Sequence, residues 1–122
     1  ITYAKSYFTQ SRFIIVYVPS PLSSYDLEST VLVNNYRPGR ADEFNPEHVY
    51  KTSDWIANEV RDIASELEIG FIDIRNALRS AGTLVHGPNS YLLNKNGYEI
   101  LSEVILEYLR TNERGVSITR PP

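Results

Sequence analysis

Cysteine and methionine are both missing from the 122 residues. Without cysteine there is no disulfide, no thiolate nucleophile and no cysteine metal site, and composition says nothing about redox compartment. No apolar run approaches the roughly 20 residues that a transmembrane helix needs. Basic charge is short too: 12 Lys and Arg stand against 15 Asp and Glu, a formal charge of −3. A nucleic-acid-binding face needs the opposite balance. The missing methionines include an initiator, and Ile1 falls inside sequence that already reads as structured, so the expectation is a processed form or a piece of something longer. What is present is an ordinary globular composition, 42% hydrophobic and 22% charged. The length fits one domain, able to bury roughly two thirds of its unfolded surface.

Along the chain, Tyr3, Tyr7 and Phe8 are spaced as on a helix, and residues 1–10 read as its last turns. Phe13 to Val18 is a continuous β-branched and aromatic run stopped by Pro19-Ser20-Pro21. Such a run without polar alternation marks a strand buried on both faces of a parallel sheet. From Ser20 to Asn45 the pattern predicts a long polar connection, with at most a short helical turn over 27–33. Asn45-Pro46-Glu47 then opens a helix with a capping side chain, a proline at the first helical position and an acid facing the dipole. Val49, Ile56, Val60, Ile63 and Leu67 form its apolar stripe, and Gly70 is the expected stop.

A second strand follows over 71–74, then a short helix over 76–81 closed by Gly82, then a loop over 83–94. The last helix runs from Lys95 to about Thr111, with Asn94 as its cap and Leu101, Val104, Ile105 and Tyr108 toward the core. Residues 1–111 thus form the domain and 112–122 a tail. Two buried strands joined through a helix make the crossover unit of doubly wound α/β folds, whose ligands bind at the carboxyl ends of the strands. Here those ends are 19–25 and 73–76, with the loop 83–94 beside them.

Chemistry is sparse. There is no G-x-G-x-x-G, no P-loop and no G-x-S-x-G nucleophile elbow. His48, near Asp42, Glu43 and Glu47, reads as part of a solvated helix start rather than a metal ligand. His86 reads as an exposed loop imidazole or, against that simpler reading, as a catalytic base. Asp73 either caps the next helix or orients a base. Ser20, Ser23 and Ser24 read as turn formers, since no base can be assigned to activate them. Of nine tyrosines, Tyr25, Tyr36 and Tyr91 fall in predicted loops, where they suit stacking on sugars or an interface unless they complete the core.

One stretch carries more information. Phe71-Ile72-Asp73-Ile74-x-x-Ala77-Leu78, then Gly82, then Asn89-x-x-Leu92-Leu93-Asn94-x-x-Gly97-Tyr98 resembles the C-terminal block of the SGNH (GDSL-type) hydrolases. That block reads F-x-D, a short helix, then D-x-x-H-x-N-x-x-G-[YH] opening the last helix. The first strand with Val18-Pro19-Ser20-Pro21 and Tyr25 is similar to that superfamily's fourth strand, and some members linked to cell-envelope polysaccharides carry a V-P-S/T segment followed by Tyr. The resemblance runs from about Phe13 to Leu109.

It implies a partial flavodoxin-like, three-layer α/β/α fold with parallel strands, of which this chain supplies the last two of five. It also implies ester or acyl-group hydrolysis or transfer, no cofactor or metal, and a cell-envelope or extracytoplasmic setting. Active members use a serine from an N-terminal GDS block, absent here, and a His base with its Asp from the D-x-x-H. Asn89 and Leu92 occupy those two positions. Leucine cannot take a proton, and asparagine cannot stabilise an imidazolium as a carboxylate does.

The expectation is a fragment of an SGNH-like domain, inactive as this chain, with His86, Asn89 and Asp73 as the remaining catalytic candidates. The alternative is a non-catalytic module on the same scaffold. It would bind an acylated glycan, an ester-bearing small molecule or a protein through Ser20, Tyr25, Ser90, Tyr91 and Asn94. Two parallel strands alone leave open edges, which predicts self-association through the sheet edge.

Overall fold

The computed structural model describes residues 1–34, 39, 41–88 and 90–114. They form mixed α/β structure with four α-helices: α1 (Thr2–Tyr7), α2 (Pro46–Glu66), α3 (Arg75–Arg79) and α4 (Lys95–Arg114). The strands are β1 (Ile14–Tyr17), β2 (Val31–Asn34), β3 (Ala41–Phe44) and β4 (Gly70–Asp73). A 3₁₀ turn over Pro21–Ser24 follows β1. Helix α4 crosses the expected boundary between domain and tail, and residues 115–122 lie outside the described residues.

The parallel pairing is as anticipated, but β1 is not buried on both faces: all four of its residues are only half-buried, because β4 is its sole strand partner among the described residues. β1 and β4 run parallel with Ile14 opposite Gly70 and Tyr17 opposite Asp73, and among the described residues each has only the other as a partner. Strand alternation sends Ile14, Val16 and Ile72 one way, into a core with Ile74, Leu78, Val85 and Leu93 that is lined by Leu101, Val104, Ile105 and Tyr108 of α4. The other face meets α2: the Tyr17 hydroxyl lies 3.3 Å from Ser53 Oγ, and Arg61 stacks over Phe71. The helix start is also as predicted, with Asn45 Oδ1 accepting from the Glu47 N–H at 2.9 Å.

Three further expectations change. The connection after β1 is not an irregular loop with a helical turn, because residues 31–34 and 41–44 pair as an antiparallel hairpin. β-Branched Val31 and Val33, flanking Leu32, favour a strand over a helix, and Gly39 has φ of +84° on the turn side. Gly70 does not stop α2. The helix ends at Glu66, four residues earlier, and Glu68 takes the left-handed conformation with φ of 53°, while Gly70 opens β4 and leaves space for the Tyr108 hydroxyl. The apolar stripe of α2 is also displaced. Val49, Ser53, Ala57 and Ala64 are its buried residues, whereas Ile56 is 37% and Ile63 46% exposed. Small side chains let this helix approach the two strands closely, and the larger ones flank the contact.

Candidate functional site

The carboxyl end of β1 runs through Val18 and the buried Pro19 into the 3₁₀ turn. Pro21 at its first position fits the fixed φ of proline. Three hydroxyls then fold back on this turn. Ser24 Oγ lies 3.0 Å from the Ser20 carbonyl oxygen, Ser23 Oγ 3.2 Å from the same oxygen, and Ser20 Oγ 3.0 Å from Ser23 Oγ. These are the turn-forming roles expected of serines beside prolines.

The loop after α3 closes over this turn. His86 and Leu93 form an isolated antiparallel bridge, with Gly87 N–H donating to Leu92 O at 3.0 Å and Asn94 N–H to Val85 O at 2.9 Å. Asn94 holds the base of the loop. Its amide nitrogen donates to Leu84 O at 2.8 Å and His86 O at 3.2 Å, and its Oδ1 caps α4 by accepting from Gly97 N–H at 3.0 Å. Gly97 is required there, because a Cβ would run into the Val85 carbonyl oxygen and the Leu93 side chain. Tyr25 ties turn to loop, its hydroxyl accepting from Val85 N–H at 3.0 Å and His86 N–H at 3.1 Å. Tyr50 of α2 donates its hydroxyl to Tyr25 O at 2.8 Å and accepts from Leu27 N–H at 2.7 Å. Arg79 of α3 stacks over the Tyr50 ring and donates to Ser23 O at 3.0 Å.

His86 is therefore not an exposed loop imidazole. It is 6% exposed, and its Nε2 lies 2.8 Å from Oγ of Ser24, which is fully buried at 0% exposure. Burial pushes the His86 imidazole below the ordinary histidine range, partly offset by the backbone carbonyls of Tyr91 and Leu92. Its Nδ1 is buried without a hydrogen-bond partner. A serine beside a histidine is the minimum of a nucleophile and its base. Here the hydroxyl has no exposed surface.

Between turn and loop lies an open cleft of about 380 Å³. One wall is residues 18–21, the other Tyr91, Leu92 and Leu93, with Tyr98 and Leu101 of α4 as its floor. Its lining is mostly apolar, with Ser20 and the two tyrosine hydroxyls as its polar side-chain groups. Tyr91 is 83% exposed and Leu92 is also exposed. Ser90 stays within the loop, its Oγ accepting from Leu92 N–H at 3.0 Å.

Of the sequence-predicted residues, the structure thus brings Ser20 and Tyr91 to the cleft and sets Tyr25, Ser90 and Asn94 to building its walls. Asn89 and Tyr36 lie outside the described residues. Asp73 turns elsewhere: its Oδ1 accepts from the Arg75 N–H at 3.1 Å, and both its oxygens are gripped by the Arg75 guanidinium, which also reaches Asp54. Burial alone would raise the Asp73 pKa, but Arg75, with Arg61 behind it, holds it below the usual carboxylate range. Sequence reading missed the Ser24–His86 contact and the cleft floor. No local pattern links residues 62 apart, and Tyr98 and Leu101 read only as helix-stripe positions.

Among the described residues no group of acidic or histidine side chains could hold a metal ion, and no helix is long and apolar enough to cross a membrane. Comparison with family models, with curated proteins and with solved structures finds no match to this chain.

Proposed function

We propose that this chain is the C-terminal part of an SGNH-like, flavodoxin-type three-layer domain that binds an acylated glycan without hydrolysing it. The observation that carries this reading is the cleft at the carboxyl end of β1. It lies where α/β folds bind ligands, and exposed Leu92 stands in it at the position where the resemblance calls for the base. The imidazole nearest the cleft loop, His86, is committed to buried Ser24. An apolar slot suits an acyl group, and the exposed Tyr91 ring beside it suits stacking on a sugar face.

Titration of the labelled chain with acetylated and deacetylated forms of one oligosaccharide tests this by NMR. The acetylated form is expected to shift the resonances of Tyr91, Leu92 and Leu101. Tyr91→Ala is expected to weaken binding by about tenfold, the loss of one stacked ring. Equal binding of the two forms, or indifference to Tyr91→Ala, would remove the cleft as the site. A parallel p-nitrophenyl acetate assay is expected to stay at background. Turnover that disappears in His86→Ala would instead make the buried pair catalytic and overturn the non-hydrolytic reading.

A further inference from the structure

We infer that His86 is a proton-sensitive latch, whose neutral imidazole holds residues 90–94 of its loop against the serine turn and whose protonation releases them. The device stands whatever the cleft binds, because it concerns one of its walls.

The hydrogen-bond chain determines where the protons sit. Ser24 has one hydroxyl hydrogen and two acceptors in reach, the Ser20 carbonyl at 3.0 Å and His86 Nε2 at 2.8 Å. The carbonyl can only accept. If Ser24 donates to it, His86 donates Nε2–H to Ser24 Oγ, and Nδ1 keeps a bare lone pair. This arrangement satisfies every hydrogen in the chain, and leaves only the Nδ1 lone pair without a donor. The reverse arrangement would strand an N–H in the interior, which costs more than a stranded lone pair.

A second proton on the ring must go to Nδ1, where the closed loop offers no acceptor in hydrogen-bonding geometry. The surrounding elements supply no counter-charge. The serine turn presents hydroxyls, and Tyr25 meets the ring edge-on at 6.2 Å between ring centres. Tyr50 is the α2 side chain that bonds to Tyr25, through its hydroxyl. From α3 comes Arg79, a cation bonded to the turn. The start of α4 contributes the Asn94 amide through the His86 carbonyl. No carboxylate pairs with His86 among the described residues. An imidazolium is therefore buried beside a hydroxyl with no paired carboxylate, and the stretch of chain nearest it is the loop carrying the Tyr91 and Leu92 carbonyls. Moving that loop gives Nδ1 an acceptor, either a carbonyl or water, and dismantles the cleft wall.

The sign follows from linkage. A histidine whose closed-state pKa lies below the ordinary value stabilises the closed loop above that ordinary value. This contribution is lost as pH falls from the ordinary value to the closed-state one. Hydrogen exchange of the full chain, expressed as protection factors for residues 90–94 against those of α2, reads the effect alongside the His86 ring resonance. Loop protection is expected to fall by up to about tenfold per pH unit across this window while α2 holds. His86→Gln keeps a neutral N–H donor that does not titrate, and is expected to hold the loop closed at every pH. His86→Ala is expected to leave it loose at every pH. Loop protection that ignores the His86 titration overturns the latch. So does the same acid loosening in His86→Gln, or a His86 that titrates at or above the ordinary histidine value.

Discussion

The corner around residues 84–97 and the two long helices invert the usual association of regular structure with burial. The corner has little repeating structure, yet Val85 and Leu93 are core residues and His86, Ser23 and Ser24 are buried with them. Helix α2 has 21 residues and buries four of them, two alanines, a serine and a valine. The apolar residues of α4 that line the core are only partly buried. Order in the corner comes from specific hydrogen bonds that tolerate few substitutions. Order in the helices comes from backbone bonds that each residue supplies for itself, so their outer faces tolerate many. The difference predicts where single changes are costly.

The largest effect is expected at Gly97. An added Cβ meets a backbone oxygen and the Leu93 side chain in the crowded joint between loop and α4, and a carbonyl held by the Asn94 N–H cannot swing aside. Gly97→Ala is expected to cost about 3 kcal/mol in thermal or urea unfolding. Gly82 is its internal control, since φ of +64° strains alanine there but nothing lies within 4 Å of the added carbon. Gly82→Ala is expected to cost about 1 kcal/mol. Equal losses at the two positions would mean that backbone conformation, and not the joint, sets the penalty.

Tyr25→Phe comes next. It removes one oxygen and strands two backbone donors, on Val85 and His86. About 2 kcal/mol is expected, the penalty of leaving buried donors unpaired. Val85 and His86 amides are expected to lose exchange protection before those of β4. A change below about 0.5 kcal/mol, within the range of ordinary surface substitutions, would show that water takes over both bonds and that the corner is less closed than its burial implies.

The same contrast explains what could be read from the sequence. Capping by Asn45 and the helical course of α2 and α4 depend on neighbours a few residues apart, and periodicity exposes such neighbours. The cap at Asn94 was legible for that reason, as were Ser20 and Tyr91 by their place after β1 and in the loop. The parallel pair joins residues 56 apart, and it was legible only because a helix between two apolar runs forces a crossover connection. The burial of His86 was not, because it depends on Ser24 and Tyr25, some 60 residues away and joined only by the fold. The hairpin of β2 and β3 was hidden differently. Ala41-Asp42-Glu43-Phe44 lacks the β-branched composition of a strand and pairs because Val31–Asn34 offers it an edge. On α2 the apolar stripe was legible, but which part of it faces the sheet was not. Ser53 and Ala57 reach the strands because they are small, a criterion that hydrophobic periodicity does not contain.

The smallest effect is expected on that outer stripe, and its smallness is informative. Ile63 lies on α2 between the buried residues and solvent, 46% exposed. Replacing it with serine removes part of one apolar contact and little helix propensity, so Ile63→Ser is expected to cost below about 1 kcal/mol. Ala64 beside it is fully buried, and enlarging it to valine pushes α2 off the strands at an expected cost of about 2 kcal/mol. The ordering is the test: the chemically drastic change on the helix should be milder than the conservative one. If Ile63→Ser proves the costlier of the two, the stripe is covered in solution by something that the two strands of this chain do not supply. The open edges of β1 and β4 are then the place to look for it, by measuring the concentration dependence of the same unfolding curve.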